Sequence, residues 1–358
     1  MKLFTLICSF LALLLFLTDC RQKNDVEPQG EIVLPKKMVI VDAEYNKKKD
    51  ILVYTTLNPN QLNIFHTALN KTETIPLDYM PMSVSISLDG NTAVVGFDGH
   101  ISHVDLSKKT VLSTYNVSCE SLDIVLGSNN WAYVFPKRNQ WSTIRCINLS
   151  NGKEVPHTGF TIHAGSKAKL HPSGKFIYVT NNFLSPSDIE KFDVQSGTAM
   201  RLYDSPYHGE YPIEGDLWFS EDGKKVFLRG QTSLRLSEEA SQDLIYGGTV
   251  GLDTINNTYH RNKQVMSLDH SQINNRLYLI SSGALYENEP NVPYVWVYDA
   301  TNLSYQKRLP IKKSKEYVST DTSYIEPHYV FVNSNGSRIF VITKEVEASE
   351  FKWAIQTL

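Results

Sequence analysis

The 358-residue chain lacks most of the signatures that identify an enzyme or a nucleic-acid-binding protein. Its 35 Lys and Arg residues are balanced by 38 Asp and Glu, and no run of basic residues could bind the phosphates of a nucleic acid. No nucleic-acid partner is therefore expected. It has no G-x-S-x-G nucleophile elbow, no Gly-rich phosphate loop and no dinucleotide fingerprint. The sequence therefore predicts no cofactor and leaves any catalytic residue unassigned.

Cysteine is also scarce, with only Cys8, Cys20, Cys119 and Cys146. None of them has the CxxC or Cys/His spacing of a zinc site. Cys8 and Cys20 belong to the N-terminal segment considered below. Cys119 and Cys146 remain as free thiols, buried or exposed, or as a disulfide, which an exported compartment permits.

Helical periodicity is almost absent, and one short phrase recurs instead. Each copy joins two apolar strand segments through a polar turn whose Gly suits a positive φ. The copies are ISLDGNTAVV (Ile86 to Val95), LHPSGKFIYV (Leu170 to Val179), FSEDGKKVFL (Phe219 to Leu228) and VNSNGSRIFV (Val332 to Val341). Similar phrases recur about every 40 residues, the period of a four-stranded propeller blade. No linker-like stretch interrupts them, so residues 31–358 are predicted to form one domain.

Each repeat reads as an inner strand A, strands B and C, and an outer strand D. Six complete repeats run from Val39 to Leu309, and a seventh starts at His328 and stops without a strand D. The predicted fold is an all-β, seven-bladed β-propeller of four-stranded antiparallel blades. An unpaired edge would leave the ring open, so Glu31 to Leu34 is expected to pair with Lys352 to Leu358 and complete the last blade. The insertion from Gln231 to Tyr246 is expected to hold a short helix or an irregular loop.

The first 19 residues are predicted to be a targeting segment. Lys2 precedes an apolar run of about 15 residues, Leu3 to Leu17, which is short for a membrane span. Leu17-Thr18-Asp19-Cys20 resembles a bacterial lipobox, which implies lipidation of Cys20, with residues 20–30 as a flexible tether. An ordinary secretory signal is the alternative.

The phrase KFIYVTNN (Lys175 to Asn182) resembles the YVTN-type propeller repeat, and residues 32–358 resemble that group of seven-bladed propellers. Together with the lipobox, the chain is similar to propeller lipoproteins of the Bacteroidetes type. An outer-membrane location, facing either the periplasm or the cell surface, is expected because Arg21 rather than an Asp follows Cys20, and the protein is expected to be a monomer. The group includes lactonase-like enzymes and surface-layer proteins, so it implies a fold more than a function.

The functional site is expected in the D-to-A and B-to-C loops at one mouth of the central channel. Aromatic rings beside carboxylates suit a sugar, and they also brace long loops. The predicted ligand-binding residues are Tyr79, Trp141, Tyr207, His208, Glu210, Tyr211, Tyr324 and Glu326. The favoured hypothesis is a binding or scaffolding protein that captures a glycan or an envelope protein.

A hydrolytic or lactonase-like enzyme acting in the same channel mouth is the alternative hypothesis. It would use carboxylates from Glu210, Glu214 and Glu326, which glycoside hydrolysis requires at a defined separation. A metal site is a further alternative, because adjacent loops can bring imidazoles and carboxylates together. Its candidate ligands are His163, His208, Glu210, Glu326 and His328.

Overall fold

The computed structural model describes residues 30–252, 263–282, 294–311, 324–347 and 350–358, apart from the side chains at positions 324 and 347. The predicted signal segment, Cys20 and most of the tether lie outside the described residues. Within the described part of the chain, no helix is long and apolar enough to cross a bilayer.

The described residues form β-strands almost throughout. The first thirteen are β1 (Gly30–Val33), β2 (Val39–Asn46), β3 (Ile51–Leu57), β4 (Gln61–His66), β5 (Lys71–Pro76), β6 (Ser83–Ile86), β7 (Thr92–Gly96), β8 (Asp98–Asp105), β9 (Thr110–Leu126), β10 (Trp131–Pro136), β11 (Trp141–Ser142), β12 (Arg145–Asn148) and β13 (Glu154–Pro156). The next nine are β14 (Ile162–His163), β15 (Lys167–Leu170), β16 (Phe176–Thr180), β17 (Ile189–Asp193), β18 (Met200–Asp204), β19 (Leu217–Phe219), β20 (Lys225–Leu228), β21 (Thr232–Arg235) and β22 (Ile245–Thr249). The last seven are β23 (Val265–Ser271), β24 (Arg276–Ser281), β25 (Tyr294–Asp299), β26 (Tyr305–Pro310), β27 (Tyr324–Val332), β28 (Ile339–Glu347) and β29 (Glu350–Thr357).

The strands form an all-β propeller with four-stranded antiparallel blades, as predicted. Five separate four-stranded sheets are present: β2-β3-β4-β5, β15-β16-β17-β18, β19-β20-β21-β22, β23-β24-β25-β26 and β1-β29-β28-β27. Between the first two in chain order lies a seven-stranded sheet, β13-β12-β10-β9-β8-β7-β6.

The expectation of seven separate four-stranded sheets is wrong in this region. The predicted loop from Val117 to Glu120 instead lies inside β9, which pairs with β8 through its first part and with β10 through its last part. No Gly or Pro occurs between Thr110 and Leu126 to break the strand. The chain therefore passes from the outer strand of one repeat to the inner strand of the next without a loop.

The repeated turns have the predicted backbone geometry. Gly90, Gly174, Gly223 and Gly336 have φ values of 73°, 73°, 69° and 71°. Most L-residues adopt this left-handed conformation only with strain, so glycine suits these four turns, and Asp50, Asn130 and Asn275 take the positive φ in the A-to-B turns of three other repeats.

The predicted closure of the last sheet is confirmed. β1 is its outer strand and pairs antiparallel with β29, from Gly30 opposite Thr357 to Val33 opposite Ala354. The backbone N–H of Leu34 extends the pairing by donating to Trp353 O at 2.8 Å. The first described strand therefore completes the sheet formed by the last ones.

The hydrophobic core is divided among the interfaces between consecutive repeats. Each of seven buried clusters among the described residues draws its side chains from two neighbouring repeats, and one joins the last repeat to the first. In that cluster Phe65 packs edge to face against Phe340, with ring centroids 6.0 Å apart. Packing against both neighbours fixes each sheet in the ring.

The insertion of the fifth repeat contains one turn of 3₁₀ helix, Ala240–Gln242, and no longer helix. A buried ion pair holds it instead: Asp243 accepts a hydrogen bond from Lys191 Nζ at 2.7 Å, and both side chains are almost inaccessible to solvent. Tyr178 and Tyr203 also donate to the Asp243 carboxylate. The insertion is therefore fastened to the outer part of the neighbouring sheet.

Candidate functional site

Trp141 lies in a two-stranded ribbon that the sequence did not predict. The short strands β11 and β14 pair with Trp141 opposite His163, and the two rings meet edge to face with centroids 5.5 Å apart. The ribbon joins a B-to-C loop to a D-to-A loop of the same repeat. It holds Trp141 at the surface with 56% of its area exposed.

The predicted residues between Tyr207 and Tyr211 do form one cluster. Tyr207 and Tyr211 meet edge to face at 4.8 Å, and Tyr211 stacks on Tyr246 at 4.1 Å. The Tyr207 hydroxyl also accepts a hydrogen bond from the Tyr246 N–H at 2.9 Å. Both predicted tyrosines are half-buried, so in part they brace the loop, as the alternative interpretation expected.

His208 and Glu210 are exposed at the edge of this cluster. His208 Nδ1 lies 3.2 Å from Asp188 Oδ2, and the His208 backbone N–H donates to Glu210 Oε2 at 2.6 Å. Burial raises the pKa of Asp188, although hydrogen bonds from Ser205 and the Ile189 N–H lower it. Asp188 thus contacts the His208 ring, and this role was not predicted from the sequence.

The remaining predicted site residues lie apart from that cluster. Tyr79 stacks on His100 with ring centroids 4.3 Å apart. Glu326 Oε2 lies 3.5 Å from both His328 Nε2 and Lys344 Nζ. The side chain of Tyr324 lies outside the described residues.

The structure does not bring together the carboxylates considered for catalysis. Glu210 accepts from its own loop, Glu214 is 3.5 Å from Gln264 Nε2, and Glu326 has the partners given above. The described residues contain no hydrogen bond or ion pair that links two of these acids. They also contain no group of three His, Cys, Asp or Glu side chains arranged to hold a metal ion.

In the part of the chain that the structure describes, exposed aromatic side chains lie on one face of the propeller. The four among the described residues are Tyr79, Trp141, Phe160 and Phe183, and all lie in D-to-A or B-to-C loops. Phe160 and Phe183 are the most exposed, at 78% and 86%. The turns of the opposite face expose large aliphatic side chains instead, at Leu69, Leu88 and Ile273.

A second candidate site, which was not predicted from the sequence, lies in the central channel. A cavity of about 570 Å³ is lined by residues of seven inner strands or their ends: β2, β6, β9, β15, β19, β23 and β27. Its ionisable lining residues are Asp42, Glu44, Asp123, Asp216, Glu221, Asp269, Lys47, Lys48, Lys167 and Lys169. The lining reaches the A-to-B turns at Leu88 and Pro172 and includes no described residue of the aromatic loops.

Several of the channel carboxylates join neighbouring inner strands that do not pair as a sheet. Asp42 and Glu44 accept hydrogen bonds from the backbone N–H groups of Val84 and Ile86 at 2.8 and 2.9 Å. Asp123 and Asp269 do the same for the N–H groups of Ala168 at 3.0 Å and Val332 at 2.7 Å. These carboxylates satisfy donors that a buried strand edge would otherwise leave unpaired.

Two lysines link repeats that are far apart in the chain. Lys169 forms an ion pair with Glu44, 125 residues away. Lys47 contacts Glu221 at 2.6 Å and Asp269 at 3.0 Å. Inner strands separated widely in sequence are thus joined across the channel.

Burial in the channel changes the ionisation of its residues. It raises the pKa of Asp42 to about 6, although Lys167 and Lys169 lower it, and it also raises the pKa of Asp123. Burial disfavours the charge of Lys169 as well, but Glu44, Asp123 and Asp42 hold its pKa above the usual value. The proton affinity of the channel therefore depends on several coupled side chains.

Asp42→Asn should alter the pH dependence of stability. Because folding raises the Asp42 pKa, this residue contributes stability below about pH 4 that is lost as the pH rises through about 6. The variant does not titrate there, so its free energy of unfolding should rise relative to wild type by about 2–3 kcal/mol between pH 4 and pH 7. Urea denaturation at intervals across this range measures the change.

Glu73→Gln is the control, because the pKa of Glu73 is shifted in the opposite direction from that of Asp42. Hydrogen bonds from Lys109 and Lys71 lower the pKa of Glu73 to about 2, so this residue contributes stability that is lost as the pH falls toward 2. The control variant should lose stability relative to wild type as the pH rises from about 2 to 4. A constant difference between Asp42→Asn and wild type at every pH would contradict the assignment to Asp42.

Both cysteines in the described residues are free. Cys119 is half-buried and Cys146 is buried, and burial raises their pKa values to about 11 and about 12. The thiolate is the reactive form of cysteine. Burial therefore disfavours the reactive form of both cysteines.

Comparison with known proteins supports the fold and assigns no family. No known protein family matches the chain, and no curated protein sequence matches it. Among solved structures it is similar to the β-propeller domain of Cps50 (Swd1) from Myceliophteria thermophila, with a TM-score of 0.64, 11% identity, and coverage of 92% of this chain and 98% of that one. It is also similar to a chain of hydrazine synthase from Kuenenia stuttgartiensis, with a TM-score of 0.59, 13% identity and coverage of 87% and 96%. At these identities the likeness shows the fold alone.

Proposed function

We propose that the protein is an interaction scaffold that binds a partner protein through the face carrying Tyr79, Trp141, Phe160 and Phe183, here called the aromatic face. The observation that carries this proposal is that all exposed aromatic rings of the described residues lie on that face. Aromatic side chains are enriched at protein interfaces and supply much of their binding energy. The β-propeller fold suits such a role, because its loops project from a rigid ring.

The backbone at Phe183 supports the same assignment. Phe183 has a φ of 67°, a left-handed conformation that is costly for a bulky residue, yet its ring is 86% exposed. The adjacent Asn182 holds the loop by donating to Gly165 O at 2.8 Å and accepting from the Gly215 N–H at 2.7 Å. Strained conformations persist where the surrounding structure enforces them, and they cluster at functional sites.

The test is whether replacing the exposed aromatic residues of this face weakens the binding of a partner protein. The variant Trp141→Ala/Phe160→Ala/Phe183→Ala is compared with Leu69→Ser/Leu88→Ser/Ile273→Ser, which alters exposed side chains on the opposite face. Cross-linking in cells identifies candidate partners, and binding is then measured with each purified candidate. We expect the aromatic variant to weaken binding by about 100-fold or more and the control to leave it unchanged.

Two results would contradict a protein partner at this face. One is a purified partner that binds the aromatic variant as tightly as wild type. The other is a glycan-array ligand that binds this face in place of a protein. The second result would support the glycan form of the sequence hypothesis.

We propose that the ring has seven blades, with the seven-stranded sheet counted as two blades that share β9. Seven inner strands line the channel, and seven buried clusters lie between consecutive repeats, which supports this count. The YVTN-type assignment is a proposal that depends on KFIYVTNN (Lys175 to Asn182), within which Phe176–Thr180 forms β16. An experimental structure with another number of inner strands would overturn the count.

We propose that Cys20 is lipidated and anchors the domain in the outer membrane through residues 20–30. The apolar run from Leu3 to Leu17 and the lipobox-like Leu17 to Cys20 support this location. Intact-mass measurement of protein from the membrane fraction tests it. An unmodified Cys20 would rule it out.

A further inference from the structure

The central channel contains a polar cluster whose hydrogen-bonding capacity is only partly used. Lys167 Nζ lies 4.0 Å from both Asp123 and Asp216, too far for a direct hydrogen bond to either. Two other channel lysines, Lys47 and Lys169, each contact a carboxylate at hydrogen-bond distance. Lys167 therefore differs from them in having an ammonium group that forms no hydrogen bond within the described residues.

Asp216 is the carboxylate near Lys167 that could accept a hydrogen bond from a ligand. Its side chain is 42% exposed, and within the described residues its carboxylate accepts no hydrogen bond and has only the long contact to Lys167. In contrast, Asp42 and Asp123 each use their oxygens to accept backbone N–H groups. The cluster thus offers one donor group and one acceptor group, 4.0 Å apart, at the first residue of β15 and the residue before β19.

An apolar surface lies next to this donor and acceptor. Trp218 follows Asp216 by two residues, so both side chains project from the same side of the strand, and both line the cavity. Tyr329 and Phe331 line the cavity from β27. An aromatic surface beside charged hydrogen-bonding groups is the arrangement that binds the apolar face and the hydroxyl groups of a sugar ring.

Charge and size restrict the ligand class. The cavity lining carries six carboxylates against four lysines, which disfavours an anion. A neutral hydroxyl group can accept a hydrogen bond from Lys167 and donate one to Asp216 at the same time. The volume of about 570 Å³ lies within the usual range for small-molecule sites.

We propose that the channel cluster of Lys167, Asp216 and Trp218 is a binding site for a neutral monosaccharide. The cavity connects Lys167 and Asp216, at the starts of their inner strands, with the A-to-B turns at Leu88 and Pro172. One hydroxyl bridges Lys167 and Asp216, and the ring packs against Trp218. None of Tyr79, Trp141, Phe160 and Phe183 lines the cavity, so sugar binding does not require a partner protein on the aromatic face.

The experiment is titration of the purified wild-type protein with neutral sugars, and calorimetry and ligand-observed NMR measure the binding. The panel contains D-glucose, D-galactose, D-mannose, L-fucose and N-acetyl-D-glucosamine. At least one sugar is expected to bind with 1:1 stoichiometry. Asp216→Asn and Lys167→Met should each weaken that binding by about tenfold or more, because each removes a charged hydrogen-bond partner. Trp141→Ala, on the aromatic face, should leave it unchanged.

Folding of each variant is checked by its thermal unfolding, and Asp216→Asn preserves the shape of a partly exposed side chain. Three outcomes would overturn the proposal: no sugar of the panel binds the wild type, both channel variants bind the sugar as wild type does, or Trp141→Ala abolishes binding. Glycine betaine is included as a zwitterionic probe. If it binds in place of the sugars, the ligand class is wrong.

Discussion

Lys191→Met is expected to lower the free energy of unfolding by about 3–5 kcal/mol, the range for breaking a buried ion pair by removing one partner. Lys191 Nζ donates to Asp243 at 2.7 Å, to Ser237 O at 3.0 Å and to Tyr203 at 3.2 Å. The variant leaves the Asp243 carboxylate buried without its cation. Urea denaturation at neutral pH measures the loss.

Lys175→Met is the matched control for this prediction. Lys175 forms an ion pair with Glu238 between the same sheet and the same insertion, but both of its side chains are exposed, at 42% and 68%. Exposed pairs contribute about 0–1 kcal/mol, so the control should have little effect. Equal losses for Lys191→Met and Lys175→Met would contradict the role given to burial.

The double variant Lys191→Met/Asp243→Asn separates buried charge from general packing damage. It removes both charges and keeps an oxygen at position 243 to accept the Ser237 N–H, which donates to Asp243 at 2.8 Å in the wild type. About half or more of the lost stability should return. A double variant as unstable as the single one would show that packing, not the unpaired charge, causes the loss.

Removal of β1 should have the next largest effect. A chain that begins at Lys37 lacks Gly30–Val33 and the buried Leu34, so it leaves β29 as an unpaired edge. Ile32 packs partly buried against the cluster that joins the last repeat to the first, and Leu34 belongs to that cluster. Loss of these side chains should lower the free energy of unfolding by about 3–5 kcal/mol.

A chain that begins at Gly30 is the control for this deletion, because it retains every residue of β1. Its unfolding midpoint should equal that of the longer chain without residues 1–19. The chain that begins at Lys37 should also associate more readily, since an exposed strand edge can pair with another chain. Identical stability of the two shortened chains would show that β1 does not close the ring.

The sequence predicted the parts of the fold that depend on local chemistry. Gly at positions 90, 174, 223 and 336 is needed for a turn that other residues form only with strain, so those turns were visible without a structure. The closure by β1 was also predictable, because the last repeat lacked an outer strand and the apolar segment Glu31 to Leu34 precedes the first repeat. Continuity of β9 was missed, because the expected loop was assigned by alignment where no Gly or Pro marked it.

The candidate sites were also predicted only in part from the sequence. The sequence identified loops that carry exposed aromatic residues, including Trp141, because loop position follows from the repeat. It missed Phe160 and Phe183, since loop sequence does not reveal whether a ring turns inward or outward. It also missed the channel carboxylates, although acidic residues recur on inner strands at Asp42, Asp123 and Asp216.

The sequence by itself thus determined the all-β repeat, its glycine turns and the pairing of its two ends. The repeat and its turns depend on residues close together in the chain, and the pairing of the ends depends on the number of strands in the last repeat. Only the tertiary structure decided that Lys169 meets Glu44 across 125 residues, that Lys191 meets Asp243, and that Lys167 lacks a direct partner. The physical reason is that strand alternation shows which side a residue faces, whereas ring closure determines which distant residue stands opposite it.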